Sequence, residues 1–157
     1  FVNMDDFKVG NWTESQAKPF AVQAGDFLVA RGNGSKRLVG RGALVQESAN
    51  VAFPDTMIRI RLDDTCVNTG LFRHIWDSYL VRSQIEDKAR TTSGIFKVSQ
   101  ENLEQILLQV PPIREQARIL AVVESLFAAT RRLQTVAQSM VEMQQAFAAA
   151  AVHHLEA

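Results

Sequence analysis

The amino-acid sequence predicts an α+β protein: a globular head with a twisted, mostly β core, followed by one long C-terminal α-helix that forms a coiled coil. Before residue 111, short apolar runs alternate with Gly, Asn, Asp and Pro, a pattern typical of short strands and turns. After Pro112 neither Gly nor Pro occurs, and good helix formers dominate. These two observations divide the chain into a head over 1–110 and a helical segment over 111–157.

Strands in the head are predicted from apolar runs that end at turn-forming residues. The three runs are 27–30, 38–45 and 57–62. In the last run the apolar residues alternate with Arg59 and Arg61, so the apolar side chains face the core and both arginines face away. The two tryptophans, Trp12 and Trp76, are also expected in the core.

Helices in the head are predicted where apolar residues recur every three or four positions. This spacing indicates a helix over 71–80, capped by Asn68 or Thr69, and a short helix after Ser99. The short helix leads the chain toward the two prolines that precede the long helix.

The long helix begins at a rigid joint formed by Pro111 and Pro112. Pro112 suits the first helical turn because an N–H there would have no intrahelical partner. Pro111 keeps Val110 out of the helical region. We therefore expect the joint to fix the angle between head and helix.

An apolar seam runs along the long helix with heptad spacing, interrupted by Thr130 and Gln144, which we expect to set the register. A helix of about 45 residues extends ~65 Å, whereas a head of this size is only ~35 Å across. The helix either packs along its own head or, as we expect, needs a partner helix. The seam residues that predict this dimer contact are Ile119, Val123, Leu126, Leu133, Met140 and Phe147.

Composition limits the classes of function. Seventeen basic residues balance seventeen acidic residues, so any preference for nucleic acid must come from local charge. Cys66 is the only cysteine, which excludes an internal disulfide or a thiolate zinc site and suits a reducing compartment. The longest apolar run is too short to span a bilayer. We expect a cytoplasmic protein with no membrane partner.

Three segments resemble the specificity subunits of type I restriction-modification systems. The segment AGDFLVARGNGSKRLVGRGALV at 24–45 resembles the Gly-Asp strand and Gly-rich loop of their target-recognition domain. TTSGIFKVSQENLEQILL at 91–108 resembles the end of that domain, and VPPIREQARI at 110–119 resembles the motif that opens the long helix. A full family member carries two such domains and two such helices, so the resemblance implies a half subunit or a fragment.

The resemblance implies that the head reads one half of a split sequence in double-stranded DNA, while the helix pairs antiparallel with another such helix. It also implies modification subunits, which methylate adenine with S-adenosylmethionine, and restriction subunits as partners. It implies no catalytic residue, cofactor or metal in this chain. Because the chain has one long helix, we expect an antiparallel homodimer that binds a split palindrome.

The loop at 31–41 is the main candidate for DNA contact, since it is basic and contains no acidic residue. Arginine can donate two hydrogen bonds to guanine, and hydroxyl groups can contact base edges or phosphates. The candidates in the loop are Arg31, Asn33, Ser35, Lys36, Arg37 and Arg41. Those elsewhere in the head are Arg59, Arg61, Arg73, His74, Lys88, Arg90, Thr91, Thr92 and Ser93.

Two other functions stay open at the level of sequence. If the head binds a protein, the chain is a coiled-coil adaptor. Alternatively, Asp77, Glu86 and Lys88 could form the acidic pair and lysine of a metal-dependent nuclease, because Glu86 and Lys88 would share one face of a strand. Salt-sensitive binding to duplex DNA argues against the adaptor, and metal-dependent cleavage would support the nuclease.

Overall fold

The computed structural model describes residues 1–4, 8–92 and 94–155. The chain forms two compact units, residues 1–117 and residues 118–157. The division between these two units lies inside the long helix, after Ala117. The first turn of the long helix belongs to the same unit as the head.

The described part of the head contains six short strands and four α-helices. The strands are β1 (Phe27–Ala30), β2 (Gly32–Asn33), β3 (Gly42–Leu44), β4 (Met57–Ile60), β5 (Arg90–Thr92) and β6 (Ile95–Lys97). The helices are α1 (Glu14–Ala17), α2 (Thr69–Trp76), α3 (Tyr79–Lys88) and α4 (Gln100–Glu104). The long helix α5 spans Ile113–Leu155.

Two small antiparallel sheets organise the head, with strand orders β3-β1-β4 and β2-β6-β5. In the first sheet Phe27 lies opposite Leu44 on one side and Ile60 on the other. Side chains alternate along a strand, so Phe27 and Val29 pack into the main core while Leu28 packs into a second, smaller cluster with Val22.

The main core is mixed rather than mostly β, which corrects the prediction from sequence. Of its buried residues, only Phe27 and Val29 lie on strands, because each strand is too short to bury more. Helices contribute a larger share of the buried core residues: Phe72, Trp76, Val81, Ile85 and Leu103. The rings of Phe27 and Phe72 meet edge to face with centroids 5.0 Å apart, and Trp76 completes this aromatic centre.

Several element predictions are confirmed and others change. The strands at 27–30 and in 57–62 are present, and the Asn68 side chain caps α2 by accepting a hydrogen bond from Leu71 N (3.0 Å). The run 38–45 contains a strand only at 42–44, because the residues before it form a turn. The helix predicted over 71–80 ends at Trp76, and a second helix begins after Ser78. Trp12 is exposed, so its predicted place in the core is wrong.

A buried glutamine ties the first turn of α5 to the segment before α2. The Gln116 side chain donates from Nε2 to Cys66 O (2.9 Å) and to Pro111 O (2.8 Å). Its Oε1 accepts a hydrogen bond from Asn68 N (2.6 Å). Because Gln116 is completely buried, these three bonds replace water for groups that would otherwise have no partner.

Helix α5 is 43 residues long. Within the part of the chain that the structure describes, no helix combines the length and the apolar character that a membrane span requires.

Candidate nucleic-acid interface

Residues 31–41, here called the basic loop, have a fixed backbone. The ends of the loop are held together because Ala30 N donates to Arg41 O (2.8 Å) and Gly40 N donates to Ala30 O (2.9 Å). Inside the loop, Ser35 O accepts hydrogen bonds from the backbone N–H groups of residues 38 and 39. The loop is therefore a compact turn rather than a flexible connection.

Side chains from α2 and α3 anchor the basic loop from within the head. Trp76 Nε1 donates to Gly40 O (2.9 Å), and Arg82 Nη2 donates to Val39 O (2.7 Å) and Arg37 O (3.2 Å). Gly40 adopts the left-handed conformation with φ of 69°, and a side chain there would also collide with the buried core. The inner edge of the loop is thus fixed by the core.

The outer edge of the basic loop carries its charge. Arg31, Lys36 and Arg37 are exposed, and among the described residues no carboxylate lies within ion-pair distance of any of them. Arg41 differs, because its Nη1 lies 2.9 Å from Asp77 Oδ1 in a partly exposed ion pair.

The two smaller candidates in the loop shape the turn. Asn33 Oδ1 accepts a hydrogen bond from Ser35 N (2.9 Å), and both residues are half-buried. This contact between neighbouring residues is typical of a polar side chain that stabilises a turn.

The second sheet brings the basic loop beside the β5–β6 hairpin. Gly32 pairs with Lys97, and Lys97 pairs with Arg90 on the other side. Residues directly opposite each other share one face of a sheet, so Lys97 and Arg90 are neighbours on the face away from Phe96, which packs on the core. Two like charges in this position repel each other, and the hairpin sequence contains no acidic residue. An anion such as phosphate would relieve this repulsion.

Arg59 and Arg61 face away from the main core, as predicted, but both contact the buried carboxylate of Asp26. Asp26 is 1% exposed, and its Oδ1 accepts a hydrogen bond from Arg61 Nε (2.7 Å). Arg59 Nη1 lies 3.8 Å from Asp26 Oδ2 and also donates to Ala21 O (3.3 Å). The hydrogen bond to Asp26 raises the pKa of Arg61. Arg59 therefore joins β4 to residues 19–21, and Arg61 neutralises the buried Asp26 carboxylate beside β1.

The remaining candidates lie on α2, α3 and β5. The Arg73 guanidinium stacks over the Phe1 ring at 4.7 Å and contacts His74 Nε2 (3.2 Å). Lys88 Nζ donates to Gln105 Oε1 (2.8 Å). Arg90, Thr91 and Thr92 form β5, so the fold brings them to the second sheet, and Ser93 lies outside the described residues.

The predicted arrangement for a metal-dependent nuclease, with Glu86 and Lys88 on one face of a strand, is wrong. Glu86 and Lys88 lie on helix α3, where residues two positions apart do not share a face. Asp77 instead pairs with Arg41. Within the described residues, no group of three His, Cys, Asp or Glu side chains is placed to hold a metal ion.

Helix α5 exposes the predicted seam. Leu126, Leu133, Met140 and Phe147 are between 64% and 79% exposed, whereas Ile119 and Val123 are half-buried. Thr130 lies within the seam, and its hydroxyl is hydrogen-bonded inside the helix, because Oγ1 donates to Leu126 O (2.9 Å). Three further exposed apolar residues each follow a seam residue by three positions, which is the spacing of the second apolar position in a heptad. They are Val122, Val136 and Met143.

Two known proteins are similar to most of the chain. No family model matches the chain. The chain is 31% identical over 129 residues to the type I restriction enzyme EcoKI specificity subunit of Escherichia coli, covering 81% of this chain and 28% of that protein. It is 30% identical over 110 residues to the type I restriction enzyme StySPI specificity subunit of Salmonella potsdam, covering 69% of this chain and 24% of that protein. The chain is a homologue of type I restriction enzyme specificity subunits. It spans about a quarter of the length of these two relatives.

Four residues that shape this specificity-subunit homologue were missed in the sequence. Arg82 and Lys97 looked like ordinary surface charges, Asp26 like a turn residue and Gln116 like one more polar residue of a helix. Only Lys97 had a local signal, because it belongs to a hairpin segment without acidic residues. The roles of the other three depend on contacts with residues far away in the sequence.

Proposed function

We propose that this chain recognises a specific sequence in double-stranded DNA as the specificity component of a type I restriction-modification complex. It performs no catalysis of its own in this proposal. The observation that carries the proposal is the basic loop, whose backbone is fixed by the core while Arg31, Lys36 and Arg37 stay exposed and without carboxylate partners in the described chain. Homology to specificity subunits supports the same function.

In this proposal one group of residues contacts phosphates and another group contacts bases. Arg90 and Lys97 lie side by side on a sheet face, where two cations can follow a phosphate backbone. The basic loop follows β1 and carries Lys36 and Arg37 on a turn whose backbone is hydrogen-bonded. A rigid turn can place the same donors against the same base edges in every complex, which sequence recognition requires.

The proposal is tested by replacing Lys36 and Arg37 together with Ala. Loss of these two donors should weaken binding to duplex DNA and reduce preference for one sequence, and the slope of log affinity against log salt should fall by about one for each phosphate that they also contact. Because both positions are exposed, thermal stability should stay nearly unchanged. A matched control replaces Lys8 and Lys18, which are exposed and outside the basic loop. Equal effects in both double variants, or no effect in either, would remove the loop from the interface.

We propose further that α5 forms an antiparallel homodimer through its exposed seam. Burying one Leu, Met or Phe side chain contributes roughly 1.5–3 kcal/mol, so leaving Leu126, Leu133, Met140 and Phe147 in water is costly. Two-fold pairing of identical helices brings two recognition heads onto one DNA duplex, and the target becomes a split palindrome. Modification and restriction subunits are the remaining partners in this proposal.

Sedimentation of the unmodified protein tests the dimer. A dimer at micromolar concentration is expected, and a strict monomer at tens of micromolar would contradict the homodimer. A dimer that shows no salt-sensitive binding to duplex DNA would instead favour the coiled-coil adaptor.

A further inference from the structure

Arg82 is a buried cation, and a contribution to stability does not by itself explain its burial. Its side chain is 7% exposed on α3, and its nearest carboxylate, Glu86, is 3.9 Å away. Two of its nitrogens, Nε and Nη1, have no hydrogen-bond partner among the described residues. Burial lowers the pKa of Arg82, and the nearby positive charge of Arg41 lowers it further. An apolar side chain would fill this site at a lower cost in free energy.

The contacts that Arg82 does make all lead to the basic loop. Its Nη2 donates to Arg37 O and to Val39 O, two carbonyls separated by one residue. One guanidinium nitrogen that bridges these carbonyls fixes the path of the chain on both sides of Leu38. Gly40 follows directly, with its carbonyl held by Trp76 and its amide held by β1.

We infer that Arg82 is a positioning residue for DNA recognition, which holds the basic loop in the shape that presents Lys36 and Arg37. This inference rests on the proposed function, but the role of Arg82 in ordering the loop can be measured without DNA. Arg82 itself has almost no exposed surface, so it acts through the loop backbone rather than through contact with a phosphate.

The experiment compares Arg82→Met with Arg82→Lys. Methionine keeps the volume but donates no hydrogen bond, whereas lysine keeps the charge and can reach one carbonyl. In the full chain without DNA, amide hydrogen exchange at residues 36–41 should accelerate by about tenfold or more in Arg82→Met, while exchange in α2 stays slow. The exchange rate in Arg82→Lys should lie between the rates in Arg82→Met and in the unmodified chain.

DNA binding supplies the second measurement. The duplex enriched by the unmodified protein from a randomised pool is compared with the unselected pool. In Arg82→Met, preference for the enriched duplex should fall by about tenfold, while the salt slope stays unchanged because no phosphate contact is lost. A salt slope reduced by about one with unchanged loop exchange would show that Arg82 contacts DNA directly, and would overturn the inference.

A further variant separates loop positioning from loss of folding. Trp76→Phe removes the indole N–H that holds Gly40 O but keeps an aromatic ring in the core. If Arg82→Met fails to fold, Trp76→Phe should still accelerate exchange at residues 36–41 and reduce DNA preference. Unchanged loop exchange in both Trp76→Phe and a folded Arg82 variant would overturn the positioning role, whether or not the unmodified protein binds DNA.

Discussion

Replacing Arg59 with Met distinguishes an arginine that supports the fold from one that reads a base. In the structure Arg59 Nη1 donates to Ala21 O (3.3 Å), and Nη2 donates to Pro19 O (3.2 Å). The guanidinium carbon lies 5.1 Å from the centre of the Phe53 ring. Its side chain is 23% exposed, so most of it is already removed from water. These contacts join β4 to the N-terminal segment of the head.

The expected loss follows from these contacts. Each hydrogen bond from a charged donor is long, so we assign about 1 kcal/mol to each of the two. The contact with the Phe53 ring adds about 0.5–1 kcal/mol. With the more distant Asp26 carboxylate included, Arg59→Met should lower the free energy of unfolding by about 2–4 kcal/mol. Methionine retains most of the aliphatic packing, so the loss reports the guanidinium group.

Urea unfolding monitored by tryptophan fluorescence measures this loss as a decrease of about 1–2 M in the midpoint. DNA preference should remain the same under conditions where the variant is folded. The matched control is Lys18→Met, which removes an exposed cation from the same region of the head, so the midpoint should stay nearly unchanged. An unchanged midpoint for Arg59→Met, together with relaxed preference at one base pair, would refute the structural role of Arg59. It would show instead that Arg59 contacts a base.

Three further predictions concern the interface, the joint and the dimer. Asp77→Asn releases Arg41 from its exposed ion pair and removes a negative charge, so affinity for duplex DNA at low salt should rise about two- to fivefold in a fluorescence anisotropy titration. Gln116→Leu leaves one backbone N–H and two carbonyls without their partner, so calorimetry should show a loss of about 2–4 kcal/mol in unfolding free energy. Replacing Leu126 and Leu133 together with Glu should give folded monomers in sedimentation experiments, and a dimer that persists would exclude this seam.

Local patterns explain why much of the fold was predictable. The alternation in β4 predicted that its isoleucines would face the core and Arg59 would not, because the side-chain period of a strand is fixed. Asn68 is one of the two caps predicted for α2, with Thr69, because its short side chain can accept a backbone hydrogen bond from the first turn. The start of α5 followed from the prolines at 111–112 and the composition after them.

The layer that covers the other face of the first sheet was not predictable. A two-residue period shows which side chains share a face, but it does not show whether another segment covers that face. Residues 19–22 and 51–53 do so through the end of a short 3-10 helix, irregular backbone and an isolated bridge between Ala21 and Ala52. The sequence therefore did not show that Arg59 contacts this layer. Trp12 was expected in the core, but the structure exposes it.

The candidate interface was predicted in part for the same reason. The absence of acidic residues identified the basic loop, since that signal is local. Pairing of β2 with β6 joins Gly32 to Lys97 across a long stretch of sequence, and neither short strand has an apolar period that would reveal the pairing. Arg82 lies on a largely polar helix, where arginine ordinarily faces solvent, so its inward contact with the basic loop left no trace in the local pattern.

Selection of duplexes from a randomised pool by the unmodified protein tests the central claim most directly. If the chain is a DNA-recognition component that pairs through α5, the enriched duplexes should contain two inverted copies of one short motif separated by a constant gap. Enrichment should weaken as salt is raised, and it should disappear when Lys36 and Arg37 are replaced with Ala. A retained pool with no enriched sequence, at a salt concentration where binding persists, would contradict sequence-specific recognition by this chain.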